Sequence, residues 1–115
     1  MTWEEILERD DIVGGDIESQ EDGIIFRGPI ESIKIKDGIV IIKSKWLARL
    51  DPRESDGWKK SDTTELSVSA NSKPEKIPGN RIYFQFPPPG QCIIFPKGDS
   101  KLDPKLVKDL TPEQY

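Results

Sequence analysis

Ile33-Lys34-Ile35-Lys36-Asp37-Gly38-Ile39-Val40-Ile41-Ile42-Lys43 (residues 33–43) decides the fold class. Two alternating runs flank an Asp-Gly pair, the preferred composition of a two-residue type I′ hairpin, because both central positions need positive φ. With that turn, Lys36 opposes Ile39, Ile35 opposes Val40, Lys34 opposes Ile41, Ile33 opposes Ile42 and Ser32 opposes Lys43. Side chains alternate between faces, so Ile33, Ile35, Val40 and Ile42 share an inward face, extended by Ser44, Trp46, Ala48 and Leu50. The other face carries Lys34, Lys36, Lys43, Lys45 and Arg49, interleaved with Ile30, Ile39, Ile41 and Leu47.

Working outward, Asp22-Gly23 repeats the signal. Ser19 then opposes Phe26, Glu18 opposes Arg27 as an exposed cross-strand pair, and Ile17, Ile24 and Phe26 point inward. Inward residues are even-numbered at Ile24 and Phe26 but odd-numbered at Ile33 and Ile35. Gly28-Pro29 is therefore expected to mark a tight turn or bulge that shifts the phase. Later segments 64–70, 81–86 and 91–95 also alternate as strands, with Leu66, Val68 and Ala70 inward, Ile82, Phe84 and Phe86 inward, and Tyr83 outward. The stretches 51–62 and 71–80 are turn-rich, with Trp58 in the first as an exposed-looking aromatic, and Pro87-Pro88-Pro89-Gly90 reads as a stiff connector.

Thr2-Trp3-Glu4-Glu5 places threonine three residues before glutamate, a capping box, and predicts a short helix to about Arg9 that docks through Trp3, Ile6 and Leu7. Asp103-Pro104 predicts a second helix over 103–110. The expected architecture is a single mostly-β domain over 1–115. It comprises an acidic helical segment (1–12), a bent or barrel-like antiparallel sheet of about six to seven strands (13–96), and a short helix at each terminus. This layout is similar to that of pleckstrin-homology-like domains, a likeness of architecture without a diagnostic motif.

The chain has 115 residues, enough for one core, and a net charge of −4. The charge is unevenly spread. Residues 1–22 hold nine acids against Arg9, whereas the remainder holds 16 basic and 12 acidic side chains. With one cysteine, no secretory leader in its first residues and no apolar run of membrane-spanning length, the chain is expected in a reducing cytoplasm. The absence of histidine removes the commonest general base, the usual serine triad and the usual zinc ligand sets. Cys92, within an apolar run, is expected to be buried and inert. Asp51, Glu54 and Asp56 match no calcium-loop spacing. No cofactor or metal is expected.

Two candidate surfaces remain. One is the face of Lys34, Lys36, Lys43, Lys45 and Arg49, suited to an anionic partner, with the acidic N-terminal helix as a candidate cover. The other is the aromatic and basic set Trp58, Tyr83 and Arg81, suited to stacking or peptide anchoring. The expected function is a non-enzymatic binding or interaction module, an accessory subunit of a larger assembly whose partner is another protein or an anionic polymer. The alternatives are a structural coat or tail component and a small carboxylate-dependent enzyme.

Overall fold

The computed structural model describes residues 1–55, 57–85 and 90–99. Among these residues the chain is mostly β, one antiparallel sheet of nine strands preceded by a single short helix, α1 (Trp3–Glu8). The strands are β1 (Asp16–Glu21), β2 (Ile24–Lys36), β3 (Ile39–Ser44), β4 (Ala48–Leu50), β5 (Trp58–Lys60), β6 (Glu65–Ser69), β7 (Glu75–Ile77), β8 (Arg81–Gln85) and β9 (Gln91–Phe95). Seven form a continuous limb in the order β5-β4-β2-β1-β9-β8-β7, and β3 and β6 extend from the far half of β2 as a second limb. The sheet is not closed among the described residues, which corrects the barrel-like expectation. Nine strands replace six to seven because β5 and β7, three residues each, lie inside stretches whose turn residues hide them. The expected C-terminal helix (103–110) and Phe86 fall outside the described residues.

Both hairpins form in the predicted register. Asp37 and Gly38 have φ of 53° and 76°, and the five pairs from Lys36 with Ile39 to Ser32 with Lys43 are all present. Asp22 and Gly23 have φ of 53° and 79°, and Ser19 pairs with Phe26 and Glu18 with Arg27. The glutamate and arginine of that last pair form an ion pair.

The phase shift in β2 is real but lies two residues beyond the expected place. The strand runs unbroken through Gly28-Pro29, and the register slips between Ile30 and Ser32, leaving Glu31 as the extra residue of a bulge. Ile30 consequently turns inward and is buried, not outward as read from the sequence. Gly28 serves a different need. A Cβ there would lie 2.1 Å from the Trp46 carbonyl oxygen and 2.8 Å from Leu47 Cδ2, so the glycine lets the connector between β3 and β4 cross against β2. That connector leaves the strand alternation after Ser44, which is why Leu47 is also buried rather than outward.

Inner residues of both limbs meet in one core: Val40, Ile42 and Val68 from one, Ile17, Ile82, Phe84, Cys92 and Ile94 from the other. The limbs thus fold toward each other around a shared apolar centre. Helix α1 closes this core with Trp3 and Ile6, both buried, while Leu7 is half-buried. The capping box is made as predicted: the Thr2 hydroxyl accepts from the Glu5 N–H, and the Glu5 carboxylate accepts from the Thr2 N–H. Trp3 packs edge-on against Phe84 with ring centroids 4.9 Å apart, and its indole N–H donates to the Ser72 carbonyl at 2.8 Å. No helix among the described residues is long and apolar enough to cross a membrane.

Candidate functional site: a lysine face on the smaller limb

On the outer face of the smaller limb the rows run Lys36-Ile39-Ser69, Lys34-Ile41-Ser67 and Ser32-Lys43-Glu65 across β2, β3 and β6. The hairpin register places Lys34, Lys36 and Lys43 here, and all three are exposed. Lys45 follows directly after β3 and is exposed as well. None of these four takes part in a described ion pair. Ile39, between them, is 43% exposed and Ile41 is half-buried, so the face combines positive charge with an uncovered apolar strip along β3. Helix α1 turns Trp3 and Ile6 into the core and leaves Glu4, Glu5 and Glu8 exposed, and it does not cover the lysines.

Arg49 does not belong to this face. It lies on β4, which pairs with the near half of β2 in the larger limb. Its guanidinium reaches Glu54 at 3.2 Å and Asp51 at 3.6 Å. Arg53 also pairs with Asp51 at 2.9 Å and Lys59 with Glu54 at 3.0 Å, so this turn is a network of charges that satisfy one another. The Arg53 hydrogen bond holds the Asp51 carboxyl below its ordinary range, and hydrogen bonds from Lys59 and Arg49 do the same for Glu54. Asp11 is lowered likewise by Arg9. A carboxyl serving as general acid at neutral pH needs the opposite shift. No group of three or more candidate metal ligands occurs among the described residues.

Trp58, Arg81 and Tyr83 share the outer face of the larger limb without forming one site. Trp58 is on β5 and the other two are on β8, five strands away, or about 24 Å at the usual interstrand spacing. Each has local partners. Arg27 lies over the Trp58 ring at 5.2 Å, which explains why this aromatic is half-buried despite its turn-rich surroundings. Arg81 lies 5.0 Å from the Phe95 ring centroid and pairs with Asp99 at 2.7 Å. Tyr83 lines a shallow groove of about 300 Å³ with Ser72, Lys73, Glu75 and Gln85. A neighbouring groove of about 560 Å³ shares the Ser72–Glu75 turn and runs along the start of α1. The larger groove leaves no local signal in the sequence, because the turn and the helix that form it are about seventy residues apart.

Cys92 is buried opposite Ser19, and burial pushes its thiol up to about 12. The thiolate needed for nucleophilic or redox chemistry is thus suppressed. No family model, curated protein or solved structure matches this chain.

Proposed function

We infer that this protein is a non-enzymatic binding module, an accessory subunit that uses the outer face of its smaller limb to hold an acidic, amphipathic polypeptide segment of a partner. The observation that carries the reading is the juxtaposition of exposed Lys34, Lys36 and Lys43, outside the described ion pairs, with the exposed side chain of Ile39. Lysines on a sheet face also serve solubility, but here Ile39 and Ile41 run together along β3 between them, an apolar strip that a partner would cover. A phosphate backbone would engage the lysines and leave Ile39 uncovered. A segment with carboxylates on one side of an apolar ridge would satisfy both.

The test compares wild type, the Lys34→Gln/Lys36→Gln/Lys43→Gln variant and Ile39→Ser on an immobilised peptide of mixed glutamate and leucine and on heparin. The triple variant should elute from the peptide at lower salt and with a flatter salt dependence, since fewer ion contacts are broken. Ile39→Ser should weaken retention on the peptide and leave heparin retention unchanged. Indistinguishable elution of all three proteins from the peptide would refute the reading, and loss confined to heparin would replace the polypeptide by an anionic polymer.

A further inference from the structure

Open sheet edges invite pairing with other chains, and proteins blunt them with lysine, proline or very short strands. Among the described residues, this sheet has four such edges. Strand β5 is three residues long and carries Lys59 and Lys60. Strand β7 is equally short, contains Lys76 and is flanked by Pro74 and Pro78. The far half of β2 presents Lys34 and Lys36. Strand β6, Glu-Leu-Ser-Val-Ser, has neither lysine nor proline and pairs with β3 alone.

The hydrogen-bond parity of β6 shows what its open side offers. Ser44 N–H donates to the Thr64 carbonyl at 2.8 Å and Ala70 N–H to the Gly38 carbonyl at 2.9 Å, so even-numbered residues here turn their backbone groups toward β3. Glu65, Ser67 and Ser69 therefore direct theirs to the open edge, apart from the Ser69 carbonyl, which already accepts from Ser72. An antiparallel copy of the strand brings Ser67 opposite its own equivalent in a hydrogen-bonded pair. The groups still open are complementary about Ser67: the two Ser67 residues exchange both bonds and each Ser69 N–H meets the Glu65 carbonyl of the other copy, whereas the Glu65 N–H groups meet Ser69 carbonyls that Ser72 already engages. Glu65 then faces Ser69 of the partner subunit, so no like charges oppose one another. Leu66, half-buried in the single chain, faces Val68 of the partner subunit on the inner side.

We propose that β6 is a homodimerisation edge, joining two copies about a twofold axis through Ser67 into a continuous six-stranded β2-β3-β6-β6-β3-β2 arrangement. The proposal rests on the edge and its register and is independent of the lysine face. Sedimentation equilibrium across a concentration series should show a reversible dimer of the wild-type chain. Ser67→Lys, which opposes two charges at the axis, should weaken dimerisation about tenfold or more without altering circular dichroism, or the thermal midpoint at concentrations where the wild type is monomeric, because Ser67 is exposed. Ser67→Cys should be joined across the axis by a short bifunctional thiol reagent, since a hydrogen-bonded antiparallel pair holds its Cβ atoms about 5.5 Å apart, close enough for such a bridge though too far for an unstrained direct disulfide. Wild type, with only the buried Cys92, should not cross-link. A wild type that stays monomeric at its highest soluble concentration, or a dimer that Ser67→Lys leaves intact and Ser67→Cys does not cross-link, overturns the proposal.

Discussion

Ile39 and Ile42 lie three residues apart on one strand, yet the first is 43% exposed and the second 1%. The difference follows from alternation about the Asp37-Gly38 turn. Ile42→Ala should cost about 2 to 5 kcal/mol in a urea unfolding series, whereas Ile39→Ala should stay within about 0.5 kcal/mol. A reversed order would mean that the strand is one residue out of register. At this scale much was legible: the pairing partners around both turns, the inward faces of β6 and β8, and the burial of Cys92 all follow from period and turn chemistry. Arg49, Ile30 and Leu47 were not, for a common reason. Alternation carries a residue's orientation along a strand only until the strand bulges or ends, and no local residue type announces that Glu31 is the bulge or Ser44 the last residue of β3. Trp58 escaped similarly, because its partner Arg27 belongs to a strand distant in sequence.

Among the elements, β2 shows how a glycine can be noticed for the right reason and assigned the wrong task. A parity conflict between Phe26 and Ile33 required an irregularity, and Gly28-Pro29 was the visible breaker. The irregularity sits at Glu31, while Gly28 provides room for a crossing chain. These roles differ in consequence. Were Gly28 simply a turn residue at the surface, alanine would be tolerated. With the Trp46 carbonyl 2.1 Å from the added Cβ, Gly28→Ala must push the β3–β4 connector off β2, and the urea midpoint should fall by an amount equivalent to about 1 to 3 kcal/mol. Helix α1 was the more legible element, since its capping box and apolar side are local signals. Its docking against Phe84 and Ser72 was not, because those contacts span most of the chain.

Across the whole molecule, electrostatics sets the response to acid. Asp11, Asp51 and Glu54 are held below the ordinary carboxylate range by hydrogen bonds from Arg9, from Arg53, and from Lys59 with Arg49. A carboxyl whose folded value is lowered contributes stability that is fully present above its unfolded value, roughly pH 4, and is lost as pH falls through the folded value. Thermal midpoints should therefore be flat from pH 7 to about 5 and decline below about 4. Asp51→Asn, which removes one such carboxylate, should make that decline shallower. The order of the strands has a further consequence, for the chain while it is being made. Strand β1 meets β2 as soon as the Asp22-Gly23 turn has emerged, but its other neighbour is β9, about seventy residues later. At typical synthesis rates that side of β1 waits on the order of 4 to 15 seconds for its cover. The strand that waits is Asp16-Ile17-Glu18-Ser19-Gln20-Glu21, and its three carboxylates set a nascent edge of one polypeptide against pairing with the same edge of the next on a polysome.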